Sequence, residues 1–458
     1  MPIRRILIAN RGEIAARVIR TCKALGIETI LAASEVDLDS PPAHIANRTL
    51  CIGPAHPSDS YLRVDTIVQA ALGVQADAIH PGYGFLSERA ALARLCEEAG
   101  VIFIGPTSAQ IDAVGDKLRA RFEAEAAGLP TLSGGAVGTV GEAVLLGRGM
   151  GAPLLIKAVG GGGGRGMKRV DRVEDLPGAM ELAIREASAA FGDVRVYLER
   201  FIENCRHIEV QILGDGKGGV IHLGERDCSV QRRYQKLIEE TPALLLPPQL
   251  RAQIHAASGR FAERLSYRSA GTVEFLVNSE REAFYFLEMN ARIQVEHPLT
   301  EVVTGVDVVA EQIGVAEGRG ISLEQSEVRW QGCAIECRIN AEDPGNDFRP
   351  APGRVRRAIW PAGEGVRVDT HIVSGANIPP FYDSLLAKII AYGPDRPSVL
   401  ARMGSAISET KIEGVANNLS FHAAVLADPE FVRGPVDTSY ARRLLERRRL
   451  VPESVTHA

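Results

Sequence analysis

The chain has 458 residues, 45% hydrophobic and 24% charged, with a formal net charge of −5. That length leaves room for several domains, and the mild acidity lacks the basic footprint of a nucleic-acid binder. Seven cysteines without a CxxC pair, and no apolar run near the ~20 residues that cross a bilayer, point to free thiols, no membrane partner and a cytoplasmic protein.

Residues 5–9 read as a buried strand and residues 13–25 as a helix with apolar positions at helical spacing. Strands follow at 27–33, 78–80 and 101–104, with a helix over 86–99 between the last two. That alternation predicts a doubly wound parallel sheet over residues 1–115. The first turn is Asn10-Arg-Gly12, not GxGxxG, which weakens a dinucleotide reading.

Residues 116–205 read as a small α+β module. A helix runs from Asp116-Lys117 to 127, a strand over 153–159 leads into five glycines, 160–164, and a helix over 175–191 precedes a strand over 195–199. Strands then dominate at 207–213, 220–224, 271–277 and 283–290, with helices over 248–265 and 305–318. From residue 331 a separate antiparallel, β-rich unit is expected up to 446, followed by a tail over 447–458. The arginines Arg442, Arg443 and Arg447 to Arg449 fit a solvated helix face.

Three features carry chemistry. The first is Glu288-Met-Asn-Ala-Arg-Ile-Gln-Val-Glu-His297: read as one extended strand, it sets Glu288, Asn290, Arg292, Gln294 and Glu296 on a single face. That ribbon would hold a metal-binding carboxylate, an anion clamp and a general base; a charged edge strand is the plain alternative. The second is the glycine run, whose bare backbone amides can approach a phosphate. Lys157 stands before it and Arg165 after it, which a flexible linker leaves unexplained. The third is the pair Glu274 and Glu288, equidistant from residue 281 in a hairpin with a polar turn over 279–282. Facing carboxylates repel unless a cation separates them, and magnesium takes one or two carboxylates plus substrate phosphates. His207, Glu209 and Gln211 also alternate along one strand, as a solvent-facing strand would too.

At these residues the chain resembles the biotin carboxylase component of biotin-dependent carboxylases, an ATP-grasp enzyme, from about residue 3 to about 445. The motifs are Ile8-Ala-Asn-Arg-Gly-Glu-Ile-Ala15, Ile79-His-Pro-Gly-Tyr-Gly-Phe-Leu-Ser-Glu88, Gly115-Asp-Lys117, Lys157-Ala-Val with the glycine flap, Glu225-Arg-Asp-Cys-Ser229, Arg292-Ile-Gln-Val-Glu-His-Pro298 and Glu336-Cys-Arg-Ile-Asn-Ala-Glu-Asp343. The resemblance implies three domains: an N-terminal one over 1–115, an ATP-grasp domain over 116–330 with a glycine-rich lid over about 131–203, and a C-terminal one over 331–446. It implies that Lys117, Lys157 and His207 contact ATP phosphates or ribose beneath a flap with Gly162, Gly163 and Gly164. Gln231, Tyr234 and Lys236 would line the same pocket, Glu199, Arg200 and Ile202 would hold adenine, and Leu276 would pack beneath it. Glu274, Glu288 and Asn290 would bind Mg2+ or Mn2+. Arg292, Gln294 and the Val295 amide would hold bicarbonate, Glu296 would be its base, Arg338 would stabilise the biotin enolate and Tyr83 would lie near biotin.

Four positions depart from the family pattern: Tyr234 for a usual His, Ala291 for Thr, Val159 for Ser and Arg200 for Lys. Altered nucleotide affinity, rather than lost activity, is the expected consequence of the first two. No Ala-Met-Lys-Met biotin attachment sequence is present. Biotin is therefore expected on a biotin carboxyl carrier protein or free, with carboxyltransferase subunits as further partners and a homodimer as the assembly. The alternatives are another ATP-grasp ligase and a nucleotide-binding regulatory protein without catalysis. The final acceptor is left open.

Overall fold

The computed structural model describes residues 2–160, 166–278 and 280–450; Gly162, Gly163 and Gly164 lie outside them. The N-terminal region is the expected doubly wound unit. Strands β1 (Arg5–Ile8), β2 (Glu28–Ala33), β3 (Arg48–Cys51), β4 (Ala78–His80) and β5 (Ile102–Phe103) form a parallel sheet in the order β3-β2-β1-β4-β5. Helix Gly12–Ala24 starts almost directly after β1, through Gly12 at φ +66°, a conformation that costs any residue with a Cβ. Asn10 Nδ2 donates to the carbonyls of Pro81, at 2.7 Å, and Tyr83, at 2.8 Å. A Cβ on Gly82 would fall 2.8 Å from that same nitrogen, so the two N-terminal motifs meet at one corner. The helix expected over 86–99 spans only Ala90–Ala99. Before it the chain turns through Phe85 at φ +44°, with Ser87 N bonded to Gly84 O.

A second, four-stranded antiparallel sheet has the order β6-β9-β7-β8, from β6 (Gly134–Val137), β7 (Leu154–Ala158), β8 (Met167–Val170) and β9 (Val196–Arg200). With helices Val140–Met150 and Leu176–Phe191 it closes a core of its own around Leu154, Ile156, Leu176, Met180 and Leu198.

The third sheet is the framework of the site. It contains β10 (Arg206–Asp215), β11 (Val220–Arg232), β12 (Gln235–Thr241), β13 (Arg268–Asn278), β14 (Ala283–Asn290) and β15 (Cys333–Asn340), then strands Leu385–Gly393 and Val366–Thr370. Its order is β14-β13-β10-β11-β12-β15 followed by those two, all antiparallel. The C-terminal strands are thus antiparallel as expected but not a separate sheet: β15 pairs with β12, and hydrogen bonding runs unbroken across residue 330. Strand β11 extends to Arg232, well past the expected end at 224. The polar residues that break its apolar pattern, Glu225 to Gln231, are buried rather than exposed.

The sheet has two unlike faces. One packs Ile208, Val210, Ile212, Val273 and Phe275 against Leu250, Ile254 and Phe261 of helix Pro248–Arg264. The other carries charge. The helix expected over 305–318 spans only Val308–Ala316, beginning after Asp307, whose side chain accepts from Ala310 N; a further helix, His297–Thr304, precedes it and ends at Gly305, φ +74°. Gly305, in the left-handed region just past the last helical residue, caps the C-terminus of that helix. Among the described residues no helix is long and apolar enough to cross a membrane.

Candidate active site

The charged face starts at the β13–β14 hairpin. Glu274 and Glu288 stand opposite each other as their spacing predicts, but by a different route. Nearer the turn the register is one residue off, pairing Phe275 with Phe286 and Asn278 with Ala283; a bulge at Leu287 brings Glu288 back against Glu274. Such a bulge re-aims the side chain beside it.

On β10 the alternating His207, Glu209 and Gln211 do not form a solvent face: all three are buried. His207 Nε2 lies 2.8 Å from Glu274 Oε2, and Gln231 Nε2 3.4 Å from His207 Nδ1. Lys236 is the hub. Its ammonium donates to Glu209 Oε2 at 2.5 Å, Glu296 Oε1 at 2.7 Å and Glu274 Oε1 at 2.9 Å. Asn290 Nδ2 and Gln294 Nε2 also donate to Glu274 Oε1, at 2.8 and 3.2 Å.

The single ribbon expected over 288–297 does not form. Strand β14 ends at Asn290, and the chain turns through 291–296 before helix His297–Thr304, with Glu296 at its N-cap (φ −83°, ψ 10°). Alternation therefore stops applying after Asn290, yet the side chains still converge, because Arg292 binds back on its neighbours. It donates to Gln294 Oε1 and Asn290 Oδ1, both at 3.0 Å, and to Glu88 Oε2 at 2.8 Å. The Val295 carbonyl accepts from Lys388 Nζ at 2.8 Å. Arg338 closes the ring from β15, donating to Glu296 Oε2 at 2.8 Å and Glu239 Oε1 at 2.6 Å. Tyr83 hydrogen-bonds to Glu13 and lies near Arg338 and Asp383.

Electrostatics prepares these groups. Burial opposes ionisation of Glu296, but Lys236, Arg338 and Arg226 together outweigh it and hold its carboxyl well below the usual range. Burial likewise opposes the charge on Glu274, and Lys236 and His207 more than offset it, lowering its pKa. Burial works against the Lys236 ammonium too, yet the carboxylates around it raise its pKa well above the ordinary lysine value. Glu274 and Glu296 are thus held as carboxylates against fixed cations at neutral pH.

The remaining candidates lie towards the four-stranded sheet. Lys117 Nζ is 3.3 Å from Glu288 Oε2, and the buried Lys157 is ion-paired with the buried Glu199. Tyr197 lies near Glu199, Lys117 and Glu288, so these groups gather where the four-stranded and eight-stranded sheets meet. Arg200 is exposed and its amide already donates to Ser133 O; Ile202 and Leu276 are half-buried. Tyr234 is 46% exposed at the tip of the β11–β12 turn. Arg233 and Tyr234 both have φ > 0 there, at +48° and +66°, as a two-residue hairpin turn demands.

The donor set suits a hard divalent cation. Glu274 and Glu288 each already attract an ammonium, Lys236 and Lys117, and the Glu288 side chain is 31% exposed. Oxygen ligands supplemented by phosphates are what magnesium takes. The set His207, Glu209 and Glu274 is also close enough for an ion, but Arg226 and Lys236 occupy Glu209.

Sequence reading assigns no role to Arg226, Glu239, Glu13 or Lys388, and leaves Glu209 between a functional and a solvent-facing position. Arg226 donates to Glu209 Oε1 at 2.6 Å, and Lys388 lies 3.2 Å from Glu13 Oε2. One signal was available: Lys388 is a lone charge in the apolar strand Leu385–Gly393.

Two antiparallel sheets that bring facing carboxylates and lysines together define an ATP-grasp enzyme, an ATP-dependent ligase. Family models agree: residues 2–111 match the biotin carboxylase N-terminal domain, 116–325 the carbamoyl-phosphate synthase L chain ATP-binding domain and 336–443 the biotin carboxylase C-terminal domain. The chain belongs to the biotin carboxylase family. It is 48% identical to a biotin carboxylase of Nostoc sp., over 97% of this chain and 100% of that one. It is also 48% identical to biotin carboxylase 1 of Bacillus subtilis, over 96% of this chain and 98% of that one. Among solved structures it resembles the biotin carboxylase domain dimer of Hydrogenobacter thermophilus 2-oxoglutarate carboxylase, in complex with MgADP, ADP and bicarbonate. There the TM-score is 0.94 at 44% identity, covering 97% of this chain and 99% of that one.

Proposed function

We propose that this protein carboxylates biotin, presented by a separate carrier protein, with ATP and bicarbonate, and that Glu296 is the base. The observation that carries this reading is the position of Glu296: buried and held between Lys236 and Arg338, with Arg292 and Gln294 in the adjoining turn. Bicarbonate is a weak nucleophile at neutral pH, so a positioned carboxylate must take its proton. An anion seated among Lys236, Arg292 and Arg338 draws their charge away from Glu296 and makes it more basic.

The deprotonated oxygen attacks the γ-phosphorus of ATP, the bond to the β-phosphate oxygen breaks, and ADP leaves carboxyphosphate. Lys117, Lys157 and His207 orient the phosphates, and Glu199, Arg200, Ile202 and Leu276 hold the base. Glu274, Glu288 and Asn290 would hold magnesium or manganese, which when bound neutralises charge on the phosphoryl oxygens. Carboxyphosphate collapses to carbon dioxide and phosphate; the phosphate removes the ureido N–H proton of biotin, and the nitrogen attacks carbon dioxide. Arg338, permanently charged, stabilises the enolate oxygen.

Domains over 1–115, 116–330 and 331–446, a lid over 131–203, a homodimer, carboxyltransferase partners and a cytoplasmic location complete this reading. The test is ADP release with ATP, magnesium and bicarbonate, with and without free biotin. Bicarbonate-dependent release stimulated by biotin is expected; release indifferent to biotin would overturn biotin as the acceptor.

A further inference from the structure

Beyond Arg338 the charged face holds a group that this mechanism does not use. Glu336 is fully buried on β15, directly across from Glu239 on β12. Neither Glu336 oxygen has a hydrogen-bond partner, and neither does Glu239 Oε2. The nearby cations are committed: Arg338 to Glu239 Oε1 and Glu296, Lys388 to Glu13 and the Val295 carbonyl, Lys236 to Glu209, Glu274 and Glu296. Two anionic carboxyls facing each other on adjacent strands repel. An unpartnered buried carboxylate costs far more than a buried acid that can donate.

One proton resolves both problems. We propose that Glu336 is held as the neutral acid, that its O–H donates to Glu239 Oε2, and that this proton sets the positive charge Arg338 offers to the substrate. Glu336 is then a positioning residue, acting through Glu239 on Arg338. This rests on the reading of Arg338 as a substrate contact.

The surroundings favour retention of the proton. Glu336 is faced by Lys388 from the neighbouring strand, by Glu239, by Arg338 on its own strand and by Glu296 at the helix N-cap. Helix His297–Thr304 contributes Leu299 and Val303, packed with Ala334 and Ile390, and His297 beside Lys388 is held neutral by burial. Burial raises Glu336 well above the usual carboxyl value despite Lys388. Glu239, faced by Arg338, Glu296 and Lys236, is pushed up to about 7, burial again being the main cause. With one proton on the pair, Arg338 meets the charges of Glu239 and Glu296. When that proton leaves, a third negative charge joins them, and Arg338 loses its hold on an anion or enolate.

The experiment is the pH profile of biotin-dependent ADP release, from about pH 6 to about pH 9, for wild type, Glu336→Gln and Glu336→Leu. Wild type should lose activity on the alkaline side. Glu336→Gln, whose amide donates at every pH, should turn over at neutral pH within about threefold of wild type and move the alkaline limb up by about one pH unit or more. Glu336→Leu, with no donor, should lower kcat by about tenfold or more while KM for ATP stays within about twofold. An infrared band of a protonated carboxylic acid should be present in wild type at neutral pH and absent from Glu336→Gln. An unshifted alkaline limb in Glu336→Gln, or no change in that band, would overturn the proposal. Wild type inactive at every pH would instead overturn the assignment of the reaction.

Discussion

On the eight-stranded sheet, Lys236 joins Glu209, Glu274 and Glu296 out of solvent, and Arg338 joins Glu296 to Glu239. On the four-stranded sheet beside it, the ion pairs Lys168–Glu186, Arg169–Glu203 and Arg195–Asp193 face water. The pair Lys157–Glu199 of this sheet is buried instead. Buried, cross-linked charges are costly to leave unpaired, so each depends on all the others. Exposed pairs are screened and contribute about 0–1 kcal/mol each. The larger sheet thus holds its charged groups in one arrangement. The smaller one has its own apolar core and is joined through pairings such as Thr131–Phe286 and Arg195–Asp116.

Substitutions on the two sheets test that contrast, in order of expected effect. Lys236→Met strands three buried carboxylates and should destabilise the protein by about 3–5 kcal/mol in denaturant unfolding. Arg169→Gln on the small sheet should cost less than about 1 kcal/mol; equal costs would break the comparison. Glu296→Gln should lower kcat for bicarbonate-dependent ADP release by about 10²–10⁴ with KM for ATP little changed, and a variant with wild-type turnover would remove Glu296 as the base. Lys157→Gln, at the buried edge of the small sheet, should act mainly on nucleotide binding and raise KM for ATP by about tenfold. Tyr234→His, at an exposed hairpin tip, should change KM for ATP by less than about threefold, read in the same steady-state assay.

Local physics makes much of the fold legible. The apolar strand over 5–9, the short connection to the first helix and the alternation of strands and helices specify a parallel sheet before any contact is known. A polar residue does not always end an element. Strand β11 continues through Glu225 to Gln231 because those groups are buried against partners from other strands, which no window of sequence contains. Residues 86–89 and 305–307 read as helix because periodicity alone does not report a left-handed turn at Phe85 or Gly305.

The candidate site divides along the same line. Spacing about residue 281 suffices to set Glu274 against Glu288, since a hairpin is a local object, although the bulge at Leu287 that realises the pairing is not readable. The motif with Arg292, Gln294 and Glu296 announces its chemistry through residue types, while its geometry comes from a turn and a helix start rather than from one strand. Lys236, Arg338, Glu239, Glu336 and Lys388 meet only because β12, β15 and strand Leu385–Gly393 are neighbours in one sheet. The sequence by itself determined the elements and the kinds of charge they carry, because dihedral preference and hydrophobic period act within a few residues. The tertiary structure alone decided which charges are partners and which carboxyl is left over, because Coulomb forces and burial depend on distance in space and not on separation along the chain.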